Sequence, residues 1–120
     1  MNNLELQRAL LQAFSEEAPE LVAKIERGLF GLESGPVSEA QIHIDAIKRP
    51  LHSLKGSSSV IDRPDLCDVC HAMEDVLVEY PASQDKKTLV DHLYKSLAFI
   101  SSCVASPSEP RDNKIGRAHV

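Results

Sequence analysis

Apolar residues recur every three or four positions through four separate stretches of this chain, and no stretch reads as a strand. That spacing gathers them on one face of an α-helix, and each such face needs another helix to cover it. The first stretch runs from about Leu4 to Glu33, with Leu10, Leu11, Phe14, Leu21, Val22, Ile25, Leu29 and Leu32 as its stripe. The second carries Ile44, Ile47, Leu51, Leu54 and Ile61, and the third Leu66, Val69, Cys70, Met73, Val76, Leu77 and Tyr80. The fourth starts near Asp85 and uses Leu89, Leu93, Leu97, Ile100 and Val104. With no Trp and only 4% aromatic residues, the core must be aliphatic. Short connections favour antiparallel neighbours, so the expected fold is all-α, an up-down antiparallel four-helix bundle.

Prolines and capping residues punctuate the pattern. Pro19 removes a backbone donor inside the first helix, which predicts a kink there or a split into a short and a longer helix. Ser34-Gly35-Pro36 breaks the chain, and Ser38 with Gln41 three residues on resembles a capping box. Pro50 predicts a kink in the second helix, Asp62 is a candidate cap for the third, and Pro81-Ala82-Ser83 stops it. Residues 1–105 are expected to form the bundle, and 106–120 a flexible tail, a linker or an appended remnant.

Composition excludes several classes of function. Net charge is −5 and the pI about 5.5, which argues against nucleic acid or an anionic membrane as partner. No apolar run approaches the ~20 residues of a membrane span. The N-terminus shows no charged segment followed by an apolar one, so the expectation is a cytoplasmic protein with reduced Cys67, Cys70 and Cys103.

The candidate chemistry lies in His52-Ser53-Leu54-Lys55-Gly56. His52, Lys55 and Ser59 fall at i, i+3 and i+7 on the second helix, so the imidazole and the cation share a face. Gly56 leaves the approach to that face open. His71 and Glu74 share a face on the third helix. If the two helices are antiparallel neighbours, Glu74 can reach the His52 ring. A carboxylate on Nδ1–H fixes the tautomer and leaves Nε2 free to attack phosphorus. Lys55 would then offset charge on the incoming phosphoryl oxygens.

On these residues the chain resembles the histidine phosphotransfer (HPt) domains, most closely the N-terminal phosphotransfer domain of chemotaxis-type histidine kinases. Arg49-Pro50-Leu51-His52-Ser53-Leu54-Lys55-Gly56-Ser57 is similar to that family's phosphoacceptor segment, and His71 and Glu74 stand where the family has a histidine and a glutamate in a network with it. Phe14-Ser15-Glu16-Glu17-Ala18-Pro19-Glu20-Leu21 resembles the acidic opening of its first helix. The resemblance covers roughly residues 4 to 104. It implies that His52 accepts a phosphoryl group from an ATP-binding histidine kinase domain and passes it to an aspartate of a response regulator receiver domain. ATP and Mg²⁺ would come with those partners, with no cofactor bound to the chain itself. It also implies binding roles for Arg49, Gly56 and Ser59. Two positions depart from the family pattern: Pro50 replaces a small helix former, and Asp62 stands where a glycine often ends the helix.

Other patterns in the chain point elsewhere. Cys67-Asp68-Val69-Cys70-His71 has the spacing of a c-type haem attachment site. Both cysteines, however, fall on the apolar face of the third helix, where they serve as small core residues. With His71 they make an incomplete zinc set, so no metal is expected. His43, His92 and Cys103 read as surface residues. Gly28, Gly31 and Gly35 make no nucleotide motif, so ATP must be held elsewhere. A bundle that docks a kinase or regulator without turnover is the alternative from a different class.

Overall fold

The computed structural model describes residues 2–80 and 85–107. Four helices, α1 (Asn3–Ser34), α2 (Ala40–Val60), α3 (Pro64–Glu79) and α4 (Lys86–Ala105), pack in a ring, with a 3₁₀ turn at Val37–Glu39 leading into α2. Each helix lies against the next, and α4 closes back onto α1. Gly28 of α1 meets Ile47 of α2, Gly31 meets His43, and Ser57 reaches Glu17. Contacts that descend along one helix as they rise along the other are those of antiparallel neighbours. The all-α, up-down bundle expected from the spacing is the fold, and no strand occurs among the described residues.

Among the described residues, twenty-three buried side chains from Phe14 to Cys103 make one continuous core, in which Ile25, Leu29, Ile47, Leu51, Leu54, Leu66, Leu89, Leu93 and Ile100 are fully enclosed. At roughly 1.5–3 kcal/mol for each large aliphatic side chain, this burial is the main favourable term. Cys103 is among the enclosed residues, not at the surface, because it continues the Leu89–Leu93–Ile100 face of α4. No helix among the described residues is long and apolar enough to cross a membrane.

Neither internal proline breaks its helix, and one expected cap does not form. α1 runs through Pro19 as one helix and is not split, since Ala18 and Leu21 on either side are held in the core. α2 likewise runs unbroken through a buried Pro50. Ser38 lies inside the 3₁₀ turn, and α2 begins with no side-chain cap; the Gln41 amide donates instead to Asp45. Two caps do form as side-chain acceptors, Asn2 for Glu5 N–H and Asp85 for Thr88 N–H, both at 2.8 Å. The proposed stop at Pro81-Ala82-Ser83 and most of the 106–120 tail lie outside the described residues.

Asp62 does not cap α3. With φ of 59° it is the left-handed residue that ends α2. Arg63 N–H donates to the Ser58 carbonyl at 2.9 Å and Asp62 N–H to Ser59 at 3.1 Å, the paired bonds of a Schellman turn. α3 then starts at Arg63-Pro64, with proline in the first turn, where its missing donor costs nothing. The buried Arg63 guanidinium donates twice to Asp65, and its third contact, to the Pro107 carbonyl at 2.7 Å, ties the end of α4 to this turn.

Neighbouring substitutions here should move stability in opposite directions. Asp62→Gly relieves the left-handed backbone and should stabilise the bundle by up to about 1 kcal/mol. Arg63→Ala leaves the Asp65 carboxylate buried without its cation and should cost about 3 kcal/mol or more. Urea denaturation of the two variants beside wild type reads both.

Candidate functional site

His52 and Glu74 meet across the α2–α3 seam. α3 turns Cys67, Cys70 and Glu74 towards α2, positions that recur at three and four residues, so the carboxylate stands in line with the apolar seam. Its side chain is only 17% exposed, whereas that of His52 is 74% exposed. The His52 Nδ1–H lies 3.3 Å from Glu74 Oε2, and Lys55 Nζ lies 2.5 Å from Oε1. One carboxylate thus takes a donor on each oxygen, both from the same turn of α2.

An ionised carboxylate can only accept hydrogen bonds, so the ring nitrogen facing it is the protonated one. Nε2 keeps its lone pair and projects to solvent. At such exposure the His52–Glu74 pair contributes little to stability. Its consequence is orientation and tautomer choice.

The charges of the pair are coupled. Burial alone would raise the Glu74 carboxyl, but the hydrogen bonds from Lys55 and His52, with their positive charge, outweigh it and hold the group below the usual carboxylate range. Lys55 is pushed up in turn, chiefly by its bond to Glu74 and against the cost of desolvation. The lysine therefore spends one donor on the carboxylate, leaving two Nζ–H groups for an incoming anion.

The remaining candidates divide. Gly56 follows Lys55 on the exposed side, and a Cβ built there would meet nothing within 4 Å. No packing contact requires a glycine there. Ser59 is exposed two turns from His52 and Arg49 is exposed one turn before it; neither touches the ring. His71 stands apart: it is rotated one residue past Cys70 and out of the seam, and its near neighbour is Asp75, at 3.7 Å. The expected place for His71 in a network with His52 is not what the geometry provides. The Cys67–Cys70–His71 run does not form a ligand set either. Cys70 is enclosed in the core, and burial first of all pushes its thiol up to about 12.

Two features escaped the sequence reading. His43 is half-buried, its ring laid over Gly31, where a Cβ would fall 2.5 Å from Nδ1. Ser57 donates to Glu17 at 3.3 Å, linking the acidic opening of α1 to the turn that carries Gly56. Both depend on the register of α1 on α2, which no local spacing reveals.

Because its folded-state value is depressed, Glu74 contributes stability above the unfolded carboxylate range, and that contribution is lost as pH falls through the folded value. Lys55→Met removes the strongest stabiliser of the charge and leaves the burial cost. The Glu74 carboxyl should then titrate higher than in wild type, followed by ¹³C NMR of the side-chain carbon. An unchanged titration would show that the Lys55 contact is not made in solution.

Comparison with known proteins agrees with this geometry. The family model for the Hpt domain matches residues 9–101. The chain is 40% identical over 101 residues to the chemotaxis protein CheA of Borreliella burgdorferi, covering 80% of this chain and 11% of the relative. It is 32% identical over 96 residues to the chemotaxis protein CheA of Halobacterium salinarum, covering 78% and 14%. A gliding motility regulatory protein of Myxococcus xanthus is 30% identical over 77 residues, 64% of this chain and 10% of the relative. The chain therefore spans little more than a tenth of the length of these curated relatives. No solved structure matches it significantly. With four antiparallel helices, an exposed histidine oriented across a helix seam, and a family match over most of its length, the chain belongs to the Hpt domain family of histidine phosphotransfer domains.

Proposed function

We propose that His52 is the phosphoacceptor of this histidine phosphotransfer domain. It takes a phosphoryl group from an ATP-binding histidine kinase domain and passes it to an aspartate of a receiver domain in chemotaxis-type signalling. The observation that carries this reading is the Glu74 carboxylate on Nδ1 of a histidine whose other nitrogen faces solvent.

In the forward step Nε2 attacks the γ-phosphorus of ATP held by the kinase. The N–P bond forms as the bond to the ADP oxygen breaks, and ADP leaves with that electron pair. The ring gains positive charge while keeping its Nδ1 proton, and Glu74 stabilises that charge from 3.3 Å. Lys55, already in contact with Glu74, offers its remaining donors to the phosphoryl oxygens. The reverse logic serves release: a receiver aspartate attacks phosphorus in line, and the neutral imidazole departs. Mg²⁺ and ATP belong to the partner domains. Gly56 supplies clearance for either partner over the ring.

Incubation with the host's histidine kinases, ATP and Mg²⁺ should place an acid-labile, base-stable label on wild type and none on His52→Gln. Labelling of His52→Gln at the wild-type rate would overturn the assignment. An absence of label from every kinase on a folded protein would favour a docking bundle without turnover. Glu74→Ala and Lys55→Ala should slow labelling by about 10- to 100-fold, the loss typical when an imidazole's orienting partner is removed, with helical circular dichroism unchanged.

Gly56→Ala separates packing from access. Alanine fits the open space and favours the helix by roughly 1 kcal/mol. The variant should unfold at higher urea than wild type yet exchange phosphate with protein partners more slowly. Exchange as fast as wild type would remove Gly56 from the proposed contact surface.

A further inference from the structure

On the α1 side of α2 lies an open groove of about 550 Å³. Lys24 and Arg27 reach it from α1, and Arg49 and Ser53 from α2; buried Leu21 and Pro50 contribute its apolar lining. No carboxylate lines it. None of its three cations makes an ion pair or side-chain hydrogen bond with another described residue, although Glu20 stands one turn before Lys24 and Asp45 one turn before Arg49. In a chain of net charge −5, three unpaired cations converging on one concave surface are an uneven distribution. Their mutual repulsion is relieved by an anionic occupant.

We propose that this groove is a docking surface for an acidic face of the protein that exchanges the phosphoryl group with His52. The proposal rests on the phosphoacceptor reading and names what that partner must carry. Arg49 and Ser53 flank His52 within one turn of α2, so a partner seated over the imidazole overlaps the groove. Its lining has no Phe, Tyr or Trp on which a nucleotide base could stack, and its one ring, that of His43, is already laid over Gly31. Its apolar residues and open form suit protein side chains, with the cations paired to carboxylates at the rim. Such rim charges steer encounter and select partners more than they add affinity.

The test uses the full chain and two probes, hexaglutamate and inorganic tripolyphosphate, followed by ¹⁵N NMR. Hexaglutamate should shift the signals of Lys24, Arg27, Arg49 and Ser53 saturably, less so as salt is raised. Lys24→Glu/Arg27→Glu should weaken binding at least about tenfold, and Lys24→Gln/Arg27→Gln by less, as expected for a charge effect. His52→Gln should bind hexaglutamate as wild type does. Shifts outside the groove, an unaltered double variant, or tighter binding of tripolyphosphate than of hexaglutamate would each overturn the proposal, the last by making the groove a phosphate site. Labelling of wild type by phosphoramidate, which delivers its phosphoryl group to the imidazole and leaves as ammonia, tests the phosphoacceptor separately. A labelled His52 beside an inert groove overturns the docking surface alone, and an unlabelled His52 overturns the phosphoacceptor reading instead.

Discussion

The seat of α2 against α1 is the constraint on which the rest of the molecule depends. Ile47 lies fully buried over Gly28, where a Cβ would fall 2.7 Å from its Cγ1, and His43 lies over Gly31. Side chains at those glycines would hold the helices apart. With them absent, α2 settles deep enough to bury Ile44, Ile47, Leu51 and Leu54 in one row. That row sets the rotation of α2 about its own axis. It therefore decides that His52 and Lys55 reach α3 while Arg49 and Ser53 line the groove on the α1 side.

Glu74 shows how a polar group is accommodated in such a seam. A largely buried carboxylate is costly unless its oxygens are paired. Lys55 and His52 take one oxygen each, so the charge survives burial and stays available to the ring. The arrangement is asymmetric in exposure: the carboxylate is sheltered and the imidazole is not. A sheltered orienting carboxylate beside an exposed ring is the arrangement on which the proposed phosphoacceptor role rests. The left-handed Asp62, which closes α2 in a Schellman turn, and the Arg63–Asp65 pair below it hold the far end of the same helix hairpin.

Charge is laid out on the two flanks of α2 with different consequences. On the α3 side the cation is neutralised within the molecule, by Glu74. On the α1 side Lys24, Arg27 and Arg49 have no ion-pair partner among the described residues. One flank holds its cation against a sheltered carboxylate beside the exposed imidazole. The other presents charge outward, where long-range attraction can act on an approaching surface.

The periodicity of the four apolar stripes determined the helices, their order and most of the core. Spacing along a helix is a local property, and burial follows it directly: Ile44, Ile47, Leu51 and Leu54 needed no tertiary knowledge. The juxtaposition of His52, Lys55 and Glu74 was legible too, because two adjacent helices joined by three residues have few ways to align. What spacing could not decide was rotation and register between helices. His71 and Glu74 are equivalent by their separation on one helix, yet only Glu74 faces α2, since a seam admits a narrow sector and His71 is turned out of it. Cys103 and His43 looked like surface residues until their neighbours were known. Asp62 reads equally well as the cap of one helix or the end of another, and the backbone bonds of the folded turn decide between them. The sequence alone determined which residues share a face; the tertiary structure decided what each face meets, because that depends on how closely two helices approach, and at Gly28 and Gly31 closeness is set by atoms that are absent.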